Sequence, residues 1–460
     1  LLTLVGVIVA VPYLYQRVDE EVRLRVEARF AQHYSHLKVS VRSAALVEDE
    51  GIRIRGISIC EPSEVGPCAE LVHFEEVLLS CRTSLKDLIK SDLEVTQVTI
   101  RRPTIRTTCS PTGDWSISKV LPLPKFSDSP PKITVENGTL EILQTAQRPS
   151  NTLTFRDINL TLDKPSPETH VRQVEGTLIG NHISRIEFQG RVNPNGEDWS
   201  LSGQIEKLSI SPESRALLPR PLSDRLSEVG SLRGTANLDF RVTKGRSPDK
   251  PYEFQVSGKL KEGRINDSRV PYPLTNISAA FQCSNSGYSV ENLFARSGQS
   301  TLRLSCRKAG FSRDSCMTMS IEARHLDLDR KLFDALPGSI QDQWHKYLPT
   351  GRIHANLDLT FNGRGWHPDG VIQCADVSFS YFKFPYRLEH GNGTIQLKDN
   401  VVCVNMTAFS GQHPIRISAV VNKTPSGPHG WAEVRCDEIN IDDKLLTAIP
   451  KRSRSVIRSL

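Results

Sequence analysis

Residues 301–307 read Thr301-Leu302-Arg303-Leu304-Ser305-Cys306-Arg307. Apolar and polar side chains alternate, so an extended chain here has one apolar face and one wet face. Pro414-Ile415-Arg416-Ile417-Ser418-Ala419 repeats the pattern. Asn237-Leu238-Asp239-Phe240-Arg241-Val242 and Asn356-Leu357-Asp358-Leu359-Thr360-Phe361 do so as well. Shorter runs occur at Leu37-Lys38-Val39-Ser40-Val41-Arg42 and Ile52-Arg53-Ile54-Arg55. Such alternation belongs to antiparallel sheet. Glu136-Asn137-Gly138-Thr139 and Gly391-Asn392-Gly393-Thr394 read as hairpin turns between strands. More than a dozen candidate strands and few short helices make the chain mainly β.

Self-comparison shows a repeat. IEKLSISPESRALLP ends at Pro219, IEARHLDLDRKLFDALP at Pro337 and VRCDEINIDDKLLTAIP at Pro450, at intervals of 118 and 113 residues. Downstream, Ala236-Asn237-Leu238-Asp239 matches Ala355-Asn356-Leu357-Asp358, and Pro271-Tyr272 matches Pro385-Tyr386. Ala295-Arg296-Ser297-Gly298-Gln299 matches Ala408-Phe409-Ser410-Gly411-Gln412. Each unit opens with a strand, continues through a short helical stretch (Leu222–Val229, Ile340–Leu348, Ser453–Leu460) and then adds five to seven strands. The expected organisation is a membrane anchor over 1–16, a helix-plus-β region over 17–130 and a β connector over 131–203. Repeat units follow over 204–318 and 319–433, with the start of a third over 434–460. The third copy stops early in its unit, and the expectation is that the natural protein continues.

Leu1 to Tyr15 carries no charge. Fifteen helical residues reach ~22 Å, short of a ~30 Å hydrocarbon core. With no initiator Met, the stretch is read as the tail of a transmembrane helix. A signal-peptide core is the alternative, although no small-x-small cleavage site follows it; a buried strand is the third reading. Residues 16–35 are highly charged, lack Gly and Pro, and place Val18, Val22, Val26 and Phe30 on one stripe. That predicts an amphipathic helix, capping a β core or, as the alternative, lying on a membrane surface, with Leu24 off the stripe.

Lys and Arg number 58 against 52 Asp and Glu, a net charge of +6. With 38% hydrophobic residues, the chain is neither a polytopic membrane protein nor a disordered tail. Ten Cys in 460 residues is too sparse for a disulfide scaffold. Cys60 and Cys68 flank Pro62 and Pro67 and could bridge a local loop. Cys283, Cys306 and Cys316, and Cys374 and Cys403, could lie on neighbouring strands, but small buried thiols are the favoured reading.

No HExxH, Gly-Lys-Ser/Thr phosphate loop, GxGxxG helix start or GxSxG elbow occurs. His182, His325, His345 and His354 stand without a Cys or His at ligand spacing, so neither a metal nor a cofactor is expected. The sequons at Asn137, Asn276 and Asn392 are read as turn chemistry. Lys451, Arg452, Arg454 and Arg458 form a basic end, read as a solvated helix face, and no aromatic-basic platform suggests nucleic-acid binding. An enzyme is not expected.

Over nearly its whole length the chain is similar to the AsmA-like proteins of Gram-negative envelopes, relatives of TamB and YhdP, the repeats resembling the family's later β region. The features carrying the likeness come in order. A membrane helix and a charged helix precede IRIRGISI, then LVHFEEVLLSCRTSLKDLIKSDLEVTQVTIRRPTIR and TGDWSISKVL. The last two include a small helix (Ser84 to Ile89), a strand ending before Pro103 and the turn Gly113-Asp114-Trp115. The Cys content departs from the family pattern. The resemblance implies an inner-membrane single-pass anchor, a body in the periplasm, and an elongated repetitive antiparallel sheet curled into an apolar groove. It implies phospholipid transfer between membranes or outer-membrane homeostasis, with phospholipid acyl chains as ligand and an outer-membrane or envelope protein as a further partner. The alternative is a membrane-tethered β scaffold for envelope assembly that carries no lipid. In the groove reading the lining candidates are Leu238, Phe240, Leu302, Leu304, Leu357, Leu359, Ile415 and Ile417.

Overall fold

The alternating segments fold as strands. The computed structural model of the chain describes residues 2–47, 50–64, 69–81, 94–110, 114–122, 124, 129–143, 152–193, 198–216, 231–245, 252–267, 270–424, 427–437 and 443–449; side chains of residues 1–17, 423 and 428 lie outside the description. The described strands belong to one open mixed sheet of 21. The chain divides into two compact units, Leu1–Gly230 with Ala236–Val256, and Ser231–Thr235 with Ser257–Leu460.

The first unit begins with α1 (Leu2–His33), one continuous helix where the sequence suggests an anchor and a separate charged helix. Then come β1 (Lys38–Val47), β2 (Gly51–Cys60), β3 (Glu70–Cys81) and β4 (Val95–Thr108). β5 (Lys132–Leu143), β6 (Thr152–Leu162), β7 (Arg172–Gly180), β8 (Ile183–Val192) and β9 (Trp199–Ile210) follow, then the short α2 (Pro212–Ala216) and most of β10 (Arg233–Lys244). Neighbours in sequence pair from β1 to β9. One pair corrects the all-antiparallel expectation: β4 and β5 run parallel. The long connection from Thr108 to Lys132 carries the chain back to the starting end, which no hairpin could do.

This unit holds the best-sealed core of the molecule. Val22, Val26 and Phe30 of α1 pack on β1–β4, where Ile54 and Ile57 are fully buried. Leu24 is exposed, as its place off the stripe predicts, and Val18 is exposed too. A 3-10 turn at Ser116–Val120 adds to the same core, with Val120 buried. The Tyr34 hydroxyl donates to the Val120 carbonyl over 3.1 Å, and burial pushes the phenol pKa up to about 12. Among the described residues no helix is long and apolar enough to cross a membrane.

The second unit holds the greater part of β11 (Glu253–Ile265), then β12 (Leu274–Ser284), β13 (Gly287–Ser297), β14 (Ser300–Ala309) and β15 (Met317–Asp327). Helices α3 (Arg330–Ala335) and α4 (Gly338–Tyr347) lead into β16 (Thr350–Phe361), β17 (Trp366–Tyr381), β18 (Phe384–Lys398), β19 (Val401–Ser410), β20 (His413–Thr424) and β21 (Gly427–Cys436). A short α5 (Asp443–Ala448) ends the described chain. From β12 to β21 each strand pairs antiparallel with the next. The repeat is visible strand by strand: β9 to β14 match β15 to β20, and β21 opens the third copy. The helix at Ile340–Leu348 is present as α4; those at Ser84–Ile89, Leu222–Val229 and Ser453–Leu460 fall outside the described residues, as do Gly113 and the basic end.

The two Asn-Gly hairpins are not hairpins. Asn137-Gly138 lies inside β5 and Asn392-Gly393 inside β18. Both sites are β-bulges, where the register against the neighbouring strand slips. Asn137 has φ 55° and His390, just before Asn392, has φ 52°. A bulge needs the left-handed conformation that a tight hairpin needs, so the same residue types serve either. The sequon residue Asn276 is likewise left-handed within β12.

Candidate functional site

In the second unit the registers fix which side chains share a face. Leu304 lies opposite Ile321, Ile321 opposite Leu357, and Leu357 opposite Gly370. One row over, Leu302, Ala323, Ala355, Ile372, Ile395 and Val404 lie in line across six strands. Leu359 joins through Met319, and Ile417 and Ile415 through Met406 and Ala408. The six candidates of this unit, Leu302, Leu304, Leu357, Leu359, Ile415 and Ile417, therefore occupy a single face. The opposite face is polar: Arg303 pairs with Glu322 at 3.4 Å, and the Ser320 hydroxyl donates to Asp358 at 2.5 Å.

The apolar face is covered at one end of its strands and open toward the other. At the covered end, Ala448 and Leu445 of α5 pack on Tyr386, Leu388, Ala408 and Ile415. The C-terminal end of α4 docks at the same end of the strands. Tyr347 stacks on Tyr381 with ring centroids 5.3 Å apart, and the Phe382 amide donates to the Lys346 carbonyl at 2.8 Å. Asp329 caps α3 by accepting from the Leu332 amide at 3.0 Å, and it also accepts the Tyr272 hydroxyl at 2.5 Å. Burial, then the Asp329 carboxylate, pushes the Tyr272 phenol pKa up.

Away from the helices the face is half-open. Ile415, beneath α5, is buried; Leu302, Leu304, Leu357, Leu359 and Ile417 keep part of their surface in solvent. Ile321, Ile372, Ile395, Leu397, Val402, Val404 and Val421 do the same. Side chains of this size between two packed sheets would be sealed from water. They cover one another along the face, and among the described residues no strand of a second sheet lies over them.

In the first unit, beyond the sealed core, β5–β10 show the same partial exposure. Val135, Leu160, Gly176, Phe188 and Gly203 lie in one row. Phe240, the candidate on β10, lies over Gly203: a Cβ there would come within 2.9 Å of the Phe240 ring. Leu238 and Phe240 are both half-buried. The sequence marks which residues alternate, but it does not mark which stretches lie under a helix, so Ile415 and Leu304 read alike although one is covered and the other open.

The described cysteines are free thiols. Cys374 faces Gly393, and Cys306 faces Val290 and Met319, so the neighbouring-strand pairs raised by the sequence do not meet. Burial pushes the Cys374 and Cys283 thiols up, which suits small apolar fillers rather than nucleophiles. Cys68, the suggested partner of Cys60, lies outside the described residues. No protein-family model matches the chain, and no curated protein matches it significantly in sequence.

Proposed function

We propose that the chain is a membrane-tethered lipid carrier that holds phospholipid acyl chains against the apolar face of its sheet and passes them between membranes. The observation supporting this is the half-open apolar face, above all Leu304, Leu357 and Leu359, which a soluble protein does not leave bare without a use. An acyl chain is apolar along its length and matches Leu, Ile and Val without polar contacts. Each buried CH₂ contributes about 0.8 kcal/mol. Successive positions along the face are nearly equivalent, so a bound chain can slide. The periplasmic setting, the inner-membrane anchor and an outer-membrane or envelope partner rest on the AsmA-like pattern of the N-terminal sequence.

The test is native mass spectrometry of the chain purified in mild buffer, with extraction and identification of bound lipid. Co-purifying phospholipid, lost in a folded Leu302→Asp/Leu304→Asp double variant, is the expected result. A folded, lipid-free wild-type protein would overturn this reading in favour of a scaffold that binds protein.

A further inference from the structure

We propose that Lys308 receives the anionic group of an amphiphile whose tail lies on the apolar face beside it. This rests on the carrier reading and names its ligand class as anionic rather than neutral. The registers carry the argument. Lys308 lies opposite Tyr288 on one side and Met317 on the other, and Met317 lies opposite Phe361, which pairs with Trp366. These residues form the last row of the apolar face, at the open ends of the strands. Among the described side chains that the registers place on this face of β12–β21, Lys308 is the one Lys, Arg, Asp or Glu. It is half-buried, and no described carboxylate pairs with it.

Two observations separate this lysine from an ordinary solvated charge. The recurring position in the next repeat, 113 residues on, is Val421, also half-buried on the same face. The fold therefore accepts an apolar side chain there, and the charge is not a requirement of the sheet. The row is also aromatic where it meets solvent: Trp366 is 49% exposed and packs on Phe361, and Phe311, 57% exposed, packs on Tyr288. Aromatic rings beside a lysine whose stem lies on apolar surface suit the boundary between a polar headgroup and a hydrocarbon tail. From Lys308 back to Leu302 along β14 is six residues, about 20 Å. The acyl chains of one bilayer leaflet span ~15 Å, half of the ~30 Å core. A headgroup at Lys308 thus sets its tail over Cys306, Leu304 and Leu302, the last opposite the fully buried Ala295.

The experiment is calorimetric titration of the full chain, stripped of lipid, with monododecyl phosphate and with dodecanol. Wild type, Lys308→Met, Lys308→Arg and Lys308→Val are compared; the Val variant copies position 421 and guards against misfolding. The expected result is a loss of about tenfold in dodecyl phosphate affinity for Met and Val, the size of one charge-assisted hydrogen bond, with Arg close to wild type. Dodecanol binding should not change. If both ligands bind and none of the variants discriminates, the Lys308 assignment fails while the groove stands. If neither ligand binds wild type, the carrier reading fails and this inference with it.

Discussion

The backbone N–H of His325 donates to Nδ1 of His354 across 3.1 Å, from one strand to the next. His325 has φ 56°, and the register slips between Ala323 and Leu326. Four other places show the same device. The amides of Asn137, Lys207, Asn292 and Asp376 meet side chains of Asn159, Asn237, Ser305 and Asn392 at 2.8 to 3.2 Å. All four donors are left-handed like His325, with φ from 49° to 61°. Each bulge bends its strand and strengthens the local twist. The freed amide leaves the ladder and needs an acceptor, and a short polar side chain on the neighbour supplies one. His354→Leu should therefore speed amide exchange around residues 323–327 and cost roughly 0.5–1 kcal/mol. His354→Asn, which offers the kind of acceptor that Asn237 offers the Lys207 amide, should restore wild-type exchange. Equal exchange in the Leu variant and wild type would show that the His354 side chain does not hold this bulge.

The strands were legible in the sequence because their period is two and their polar members carry charge. Thr301–Arg307 shows its face at once, and the repeat shows how many strands follow. The bulges were not legible as bulges, since Asn137-Gly138 carries the same left-handed preference as a two-residue turn. The parallel pairing of β4 and β5 was hidden as well. It depends on where the connection after Thr108 runs, and no local pattern encodes that path. Nor does alternation separate a sealed face from an open one. Ile52-Arg53-Ile54-Arg55 and Thr301–Arg307 look alike, yet Ile54 is 0% exposed beneath the α1 cap and Leu304 is half-open.

That contrast is testable in stability. Ile54 is enclosed on all sides by the core of α1 and β1–β4. Ile54→Ala should cost about 2–5 kcal/mol, the usual range for truncation in a sealed core. Leu304→Ala removes a side chain that is already partly wet and leaves no closed cavity, so it should cost about 1 kcal/mol or less. Amide exchange resolved by strand gives each region its own value, which a single melting curve of a chain with two units does not. Equal losses at the two positions would mean that the second unit is packed as tightly as the first.

Acid should loosen β2–β5 through two carboxylates. Glu76 accepts from Arg55 at 3.0 Å and from Arg101 at 2.9 Å; Glu70 accepts from Arg106 at 2.6 Å. Burial alone would raise both pKa values. Hydrogen bonds from Arg55 and Arg101 to Glu76, and from Ser58 and Arg106 to Glu70, outweigh it and hold both below the ordinary value. The folded state then binds fewer protons than the unfolded chain. Its stabilisation is complete above the unfolded carboxylate pKa of about 4.3 and is lost as pH falls through the folded values. Amide protection in β3 and β4, corrected for intrinsic exchange, should fall between about pH 5 and pH 3. Glu76→Gln should be less protected at neutral pH and respond less to acid. A Gln variant with the full acid response would show that the titration lies elsewhere.

The covered end of the second unit depends on small residues under its helix. Ala408 is 0% exposed and lies with Leu388 and Ile415 beneath Ala448 and Leu445 of α5. Its counterpart in the preceding repeat, Ala295, is also 0% exposed, so the repeat places a methyl group at this point twice. A longer side chain at 408 has no room while α5 stays seated. In Ala408→Leu either the helix lifts or the strands shift, at a cost of about 1–3 kcal/mol. A six-residue helix has little stability of its own, so the helix should give way first. Amides of 445–449 should then exchange near the unprotected rate while β19 and β20 keep their protection. Loss of protection in β19 and β20 together with α5 would show that helix and strands form one cooperative unit, and that the covered end is part of the core and not a stop at the end of an open face.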